Sequence, residues 1–421
     1  MKIAVVGAGI TGLAAAWMLD GSEQEVTLFE KNPVAGGHAH TLKVRRRGVD
    51  VHVDTAFSNL TGATHPGFKA LLQNLNIDVQ RSRATFSLYS RPEWRNLMVL
   101  PSARPAHAAT ALRPSGLWNL AAFGRAIDAA VALEVNGDWT MSVREYLRRL
   151  PPAFASKVMA PFLAALIGTS CEEAMDFSAR AAMKFLVCPR MEGTHLSLEA
   201  LQVKGGVSAY VTALLDSLRT VAVELDAEIV SIRKEAGRFL LMDRGGREHA
   251  FDQVVLATPA HRTLEMISSL PGTEPLRRLL GRIEYLETAI AVHADRTYMP
   301  RPRGAWSYVN MLVDGHGECE KTFWCGMSKG VDVFRSWVTL GSSTPRNLYA
   351  MYRYDHPRMT PDYYRVQTRL AGLEQGAGGL WLAGSYLEDV DTHESGLRSA
   401  MEVVRAIRPG STNLRALQGA M

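Results

Sequence analysis

Apolar positions in this chain follow two rhythms, and their order predicts the fold. KIAVVG (2–7) is a short apolar run with β-branched residues that closes on glycine, and 13–19 continues it as a helix. EVTLFE (25–30) reads as the next strand. GVDVHVDTAF (48–57) alternates strictly, as a half-buried strand does. Arg45-Arg46-Arg47 sits just before Gly48 and marks a hairpin turn. Residues 111–200, rich in Ala and Leu, predict mostly helix, broken at Pro114, Pro151-Pro152 and Pro161. Within them 154–167, carrying Lys157 and Pro161, predicts a kinked buried helix. Strands return at 221–233 and 238–243, joined around Gly237, and VVLA (254–257) has the unbroken apolar character of a parallel strand. Residues 285–293, 305–313, 322–326 and 336–340 predict a second sheet, and His356-Pro357 a turn. LWLAG (380–384) is another short strand, and a closing helix runs from about 396 to 407.

Strands interleaved with helices mean an α/β fold: a Rossmann-like nucleotide-binding domain with an inserted α+β domain of mixed sheet and helices. The nucleotide-type pieces lie at both ends and in the middle. The first domain is therefore expected to be discontinuous, from 1–75, 201–260 and 376–421. The substrate domain would comprise 76–200 and 261–375.

With 421 residues and 47% hydrophobic content, the chain can bury a sizeable core. Its net charge of +5 fits a solvated basic surface or attraction to an anionic partner, and the one basic run is too short to argue for nucleic acid. Cys171, Cys188, Cys319 and Cys325 form no CxxC pair and no zinc-ligand spacing, so no metal is expected. Free thiols, with strand already at Lys2, suggest a cytoplasmic protein without a signal peptide. No apolar run reaches membrane-spanning length. GLWNLAAFGRAIDAAVAL (116–133) could touch a membrane face peripherally or serve as a lid or core helix. A monomer or a homodimer is compatible with all of this.

The chemistry enters with GAGITG (7–12). Gly7 permits the tight strand-to-helix turn, Gly9 lets a pyrophosphate approach the backbone, and Gly12 lets helix and strand pack closely. The helix amides, from Ile10 and Thr11 onward, then point at phosphate. Glu30 ends the next strand eighteen residues after Gly12, close to the roughly 20 residues expected of a ribose-binding acid. Lys31 follows it, and Gly36-Gly37 lies a few residues further on.

From Glu30 through KNPVAGGHAHT the sequence resembles the flavin amine oxidase superfamily, which includes protoporphyrinogen oxidases, phytoene desaturases and monoamine oxidases. There a second diglycine also faces the cofactor phosphates. The residue after it is usually Arg; this chain has His38, with Thr41 beyond. VDTAF (53–57) is similar to the family's Asp-x-Gly turn, with Ala56 in place of Gly. KGGVSAYVTALL (204–215), AEIVSI (227–232) and LATPAH (256–261) resemble further family segments. The resemblance implies that the backbone near Ile229 and Val230 clasps adenine and that Ala257 lies against the cofactor. LAGSYLEDVDTHESGLRSAMEVV (382–404) resembles the C-terminal flavin motif. This implies that Gly384 and Ser385 contact the ribityl-phosphate, and that Gly396, Leu397 and Ala400 present a helix start to the flavin pyrimidine. GGHAHT, VDTAF, SWVTLG, YRYDHP and the His393-Glu394 pair are similar, more narrowly, to a bacterial subgroup of NAD/FAD-binding, amine-oxidase-like proteins, which implies no substrate.

The cofactor so implied is FAD, held noncovalently, since family members with covalent flavin use a C-terminal Cys and none follows Cys325. Hydride would pass from a small-molecule substrate, an amine or an unsaturated metabolite, to flavin N5. Without a second G-x-G-x-x-G, oxygen or a quinone-type acceptor is favoured over NADPH chemistry. His393, Glu394 and Tyr386 are the polar candidates near the ring; His393 and Glu394 could equally anchor the C-terminal loop. Trp306, Tyr308, Trp324, Trp337, Tyr352 and Tyr354 line an aromatic cavity or simply fill core. Alternatives are a flavin-dependent isomerase or desaturase acting on a lipid-like or polyene substrate, and a flavin-free binding protein of the same fold.

Overall fold

The computed structural model describes residues 1–419 apart from 22, 63, 84, 92, 101, 103, 192–198, 342–343 and 374. Part of the predicted helical stretch 111–200 thus lies outside the described residues.

Five parallel strands form the first sheet, in the order Leu380–Leu382, Gln253–Leu256, Lys2–Val6, Glu25–Phe29, Ala222–Glu224. The apolar runs of the central strands are buried on both faces, which is why they read as continuous rather than alternating. Helices Ile10–Leu19 and His393–Ile407 cover one face together with Ser208–Ser217. On the other face packs a three-stranded antiparallel sheet, Ile229–Glu235, Arg238–Asp243 and Glu248–Phe251. Its first turn places Ala236 and Gly237 at positive φ, as the sequence expectation around Gly237 requires.

The second sheet is mixed and seven-stranded, in the order Leu348–Pro357, Tyr285–His293, Phe334–Trp337, Cys319–Trp324, Val309–Val313, Phe86–Ser90, Arg95–Val99. Opposed residues share a face and successive ones alternate. Val309, Met311, Lys321, Phe323, Arg335, Trp337, Ile290 and Tyr352 therefore lie on one face, here called inner, and Leu312, Trp324, Phe334 and His293 on the outer. Helices cover part of the inner face. Among them Pro114–Val135 buries Phe123, Ala126, Ile127 and Ala130, the core-helix outcome of the two weighed for 116–133, while Leu117 and Trp118 stay exposed. The predicted kinked helix is a π-turn, Ala155–Met159, between Pro152–Phe154 and Ala160–Ile167. The extra residue per turn accommodates Pro161, whose ring would clash in an unbroken α-helix.

Three expectations change. His356 and Pro357 do not form a turn; they end strand Leu348–Pro357, paired with Leu286 and Tyr285. Pro is tolerated because this is an edge strand at its last residue. The strands of 76–110, Val79–Arg83, Phe86–Ser90 and Arg95–Val99, were not foreseen. The six aromatic residues do not line one cavity. Trp306 and Trp324 pack edge-on at 5.1 Å, with Phe334, on the outer face.

No helix is long and apolar enough to cross a membrane among the described residues.

Candidate cofactor and substrate site

Two glycine turns and two helix starts converge at one end of the parallel sheet. Gly7 sits at φ +101°, where a Cβ would stand 2.6 Å from the Ala257 carbonyl oxygen. A Cβ on Gly12 would meet the Gly7 carbonyl oxygen at 1.8 Å. Both positions therefore require Gly for packing, and Ala257 forms the floor beneath them. Gly9 is different: a Cβ there would meet no atom within 4 Å. Its missing side chain leaves room for a ligand rather than for protein. Gly9 also starts helix Ile10–Leu19 with no side-chain cap, so the first-turn amides are left for that ligand.

Gly36 bridges to this turn, its amide donating to the Ala8 carbonyl at 2.7 Å. Gly37 adopts φ +57°, and its Cβ would lie 3.4 Å from the Gly9 Cα. The diglycine thus closes one side of the same opening. Glu30 is buried; its Oε2 accepts from the Ala8 amide at 2.9 Å and its Oε1 from the Asn32 side chain at 2.7 Å. Lys31 is exposed beside it.

The second helix start lies against the first. A Cβ on Gly396 would stand 2.5 Å from the Thr11 Oγ1. At the other end, the Arg408 guanidinium donates to the Leu19 and Asp20 carbonyls at 3.2 and 2.8 Å. Helices Ile10–Leu19 and His393–Ile407 therefore run parallel, N-terminus beside N-terminus. Parallel dipoles repel, and this pairing concentrates positive potential where the glycine turns open. Leu397 and Ala400 are buried in the core these helices share.

Gly384 donates its amide to the Ser399 Oγ at 3.0 Å, and a Cβ on it would strike the Tyr386 ring at 2.6 Å. Tyr386 is thereby fixed as buried core, and burial raises its hydroxyl pKa. The Ser385 hydroxyl donates to Asp391 Oδ1 at 2.5 Å, and His356 Nδ1 lies 3.1 Å from Asp391 Oδ2. Burial opposes the Asp391 charge. The His356 hydrogen bond and the charges of His356 and His38 more than offset it, holding the carboxyl at about 2. His38 stacks tilted against His356 at 5.2 Å and edge-on to Tyr354 at 4.9 Å. Burial, then the charge of His356, lowers it to about 4. A polar chain thus links the residue after the first diglycine to Ser385 of the C-terminal segment. Sequence reasoning gave neither His356 nor Asp391 a role at the site, although His356 stands in YRYDHP and Asp391 in the C-terminal flavin segment 382–404.

Val230 falls in a bulge between Ile229 and Ser231, opposite no residue of the neighbouring strand. Its backbone groups are left out of the ladder, as a base-clasping segment needs. Thr41 points elsewhere: its hydroxyl donates to Asp54 Oδ1 at 2.7 Å and accepts from the Ser208 amide at 2.9 Å. It joins hairpin Thr41–Arg46/Val49–Asp54 to the diglycine before helix Ser208–Ser217, where Gly206 at φ +93° leaves only 2.3 Å between its Cβ position and Thr41.

Of the polar candidates, Glu394 accepts from the Gly67 and Phe68 amides at 3.0 and 2.8 Å. It caps helix Pro66–Asn74, whose own N-cap residue, His65, supplies no side-chain bond. His393 stacks on Phe57 at 3.9 Å and 17°, with Phe68 edge-on at 5.3 Å. Burial lowers its pKa to about 3, and its Nε2 has no hydrogen-bond partner among the described residues.

The inner face of the second sheet supplies residues that sequence reasoning missed. Arg335 is buried across from hairpin residues, donating to the Asp54 and Ala56 carbonyls and, at 3.0 Å, to Ser58 Oγ. Its guanidinium lies 4.2 Å from the Phe323 ring centroid and 5.0 Å from that of Trp337. Lys321 is buried, donates to the Leu166 carbonyl at 2.7 Å, and sits 4.0 Å over Trp337. Burial, then the Arg335 charge, lowers it to about 7. The Tyr308 hydroxyl meets Gln202 at 2.6 Å, and Tyr354 bonds Thr55 Oγ1 at 2.5 Å. No group of three or more His, Cys, Asp or Glu is arranged to hold a metal among the described residues.

This arrangement has known counterparts. The family model for flavin containing amine oxidoreductase matches residues 10–297. A fatty acid isomerase from P. acnes that produces CLA superposes with a TM-score of 0.69 at 12% identity, covering 96% of this chain and 98% of that one. A putrescine oxidase bound to putrescine gives 0.66 at 15% identity, covering 97% and 99%. At these identities the likeness is one of fold. A 4,4'-diapophytoene desaturase of Staphylococcus aureus (strain Newman) is 58% identical over 43 residues, 10% of this chain and 9% of the desaturase. The chain thus matches under a tenth of that relative's length. With the glycine turns, the paired helix starts and a family match over most of its length, the chain belongs to the flavin containing amine oxidoreductases.

Proposed function

We propose that the chain binds FAD noncovalently and oxidises a small unsaturated metabolite, with oxygen or a quinone-type acceptor taking the electrons. The observation that carries this reading is the parallel pair of helix N-termini at Thr11 and Gly396, opening beside the Cβ-free Gly9. The residues fit the cofactor. Gly7, Gly9, Ile10, Thr11, Gly12, Gly36 and Gly37 would cradle the pyrophosphate, with Glu30 on the ribose and the Val230 backbone on adenine. Gly384, Ser385, Gly396, Leu397 and Ala400 would hold the flavin end, and the His38–His356 pair would stand near the phosphates. We further propose that 1–75, 201–260 and 376–421 form the FAD-binding part, and 76–200 and 261–375 the substrate part.

Bound FAD would supply the hydride acceptor at N5. The protein's share is binding, orientation and exclusion of water. Arg335 ties the hairpin 41–54 to the second sheet, so the inner-face aromatics Phe323, Trp337, Tyr352 and Tyr354 keep a fixed distance from the glycine turns. Arg335 and Lys321 share that face. The Arg335 charge disfavours a protonated amine there, which favours an unsaturated substrate over a cationic amine. His393, neutral above about pH 3, is a hydrogen-bonding aromatic wall rather than an acid.

The visible spectrum of the purified protein, followed by heat release and chromatography of the pigment, tests the cofactor. Anaerobic reduction by a panel spanning polyamines and unsaturated fatty acids, then rapid mixing with oxygen or a quinone, tests substrate class and acceptor. A protein that takes up no flavin from excess FAD would end the proposal. Bleaching by polyamines alone would reverse the substrate class. A product of unchanged redox state would identify an isomerase.

A further inference from the structure

The outer face of the seven-stranded sheet carries a cleft that the flavin chemistry does not use. Arg91 and Trp94 lie on the turn between strands Phe86–Ser90 and Arg95–Val99. Arg296, Arg301 and Arg303 lie on the segment after strand Tyr285–His293, which crosses the sheet as two short 3-10 turns, Arg296–Tyr298 and Arg303–Ala305. The two segments enclose a cleft of about 810 Å³, floored by Trp306. Trp306, Trp324 and Phe334 pack on one another on the outer face, opposite to Arg335 and Phe323. The sheet itself therefore separates the cleft from the glycine turns.

Four guanidinium groups converge there. Asp332, almost buried, pairs with Arg296 and Arg303. Asp314 also lines the cleft, with Oδ1 accepting from the His316 and Glu318 amides at 2.8 and 3.0 Å. The Arg91 charge also acts on the Glu320 carboxyl, so one positive charge remains in excess, and Arg301 has no ion pair within 4 Å among the described residues. Gathering like charges in a concave surface costs free energy unless an anion offsets it. The aromatic side is equally arranged. Arg301 lies 4.8 Å from the Trp94 ring centroid and Arg303 5.0 Å from that of Trp306. Trp94 is held at φ +49°, a left-handed conformation uncommon for a bulky residue, and its ring lines the cleft while packing against Tyr89, Ala305 and Leu312.

We propose that this cleft is a second ligand site, for a small organic anion that carries a phosphate or carboxylate on a flat unsaturated ring. Guanidinium forks match such oxygens two at a time, and the planar Arg301 guanidinium, laid over Trp94, extends a flat surface on which a ring stacks. The volume lies within the range of small-molecule sites, roughly 300–1,000 Å³. The site is independent of what occupies the glycine turns.

The test uses the full chain in excess FAD, so that the nucleotide cleft is filled, with 1-naphthyl phosphate as the probe. Tryptophan fluorescence and calorimetry follow binding; inorganic phosphate supplies the charge alone and 1-naphthol the ring alone. The expected result is saturable binding of naphthyl phosphate, at least tenfold tighter than either half. Arg91→Glu with Arg301→Glu should weaken it at least tenfold while leaving the melting temperature unchanged; Arg45→Glu, on the distant hairpin, should leave it as it was. Arg301→Lys, which keeps the charge and loses the stacked plane, covers the case in which the double variant fails to fold, and should weaken binding severalfold. No saturation at millimolar probe, or equal affinity in wild type and the folded Arg301 variants, would overturn the site. Equal affinity for inorganic and naphthyl phosphate would overturn the ring assignment.

Discussion

Gly396 rests on Thr11, with 2.5 Å between the position its Cβ would take and the Thr11 hydroxyl oxygen. This contact fixes how closely the two helix starts approach, and so the strength of the field at their shared end. Gly396→Ala should push them apart, costing about 1–3 kcal/mol as overpacking does. Flavin content after purification should fall with the melting temperature. Adding Thr11→Ala removes the colliding oxygen and should restore both; a double variant no better than the single one would show that the contact is not what limits the pair.

Glu394 should behave as a fastener. Glu394→Ala leaves the Gly67 and Phe68 amides without their acceptor and should destabilise the protein by about 1–3 kcal/mol. Denaturant unfolding measures this. Glu394→Gln, which still accepts one bond, should lie between. Loss of turnover in the Gln variant at unchanged stability would instead assign Glu394 to the chemistry.

His393, His65 and His38 are held neutral by burial, with pKa values at about 3, 4 and 4. The unfolded chain binds protons at these sites below about pH 6.5, so unfolding takes up protons there. Stability should be full above that pH and fall as pH drops toward 4. His393→Phe keeps the stack on Phe57 and removes one of these titrations, so its melting temperature should decline less steeply across the same interval. Parallel slopes for variant and wild type would contradict the buried neutral state.

Lys321 repeats the same proton linkage at higher pH. Its pKa is lowered from 10.5 to about 7, so the unfolded chain binds the extra proton between those values. Stability should therefore rise with pH across that window, by on the order of a few kcal/mol. Lys321→Met should lack the rise and be relatively most stable, against wild type, near pH 7. Unfolding free energies of the pair at pH 7 and 9 give the difference directly.

Much of the nucleotide-binding half was legible because its constraints are local. Gly7 and Gly12 are required by backbone atoms within a few residues or one strand away, and Glu30 lies where the strand length puts it. The second sheet was less legible. Its strand 348–357 mixes Tyr, Arg and Asp because it is an edge, so no apolar run announces it. Lys321 and Arg335 look like surface charges in sequence; they become interior only because Leu166, Asp54 and Ala56, far away in the chain, offer carbonyls to them. His356 read as a turn since a proline follows it, and strand pairing with Leu286 overrode that signal. Trp306 and Trp324 could not be told from Trp337 until register assigned their faces.

The parallel sheet also has a history during synthesis. Strand Gln253–Leu256 can pair with Lys2–Val6 as soon as it leaves the ribosome, but its other neighbour, Leu380–Leu382, is made more than a hundred residues later. At roughly 5–20 residues per second the gap lasts several seconds or longer. Throughout it Val254 and Val255 border a raw, unmatched hem. The nascent chain is then most open to chaperones or to mispairing with its neighbours on the same message, and strand Leu380–Leu382 brings that interval to a close.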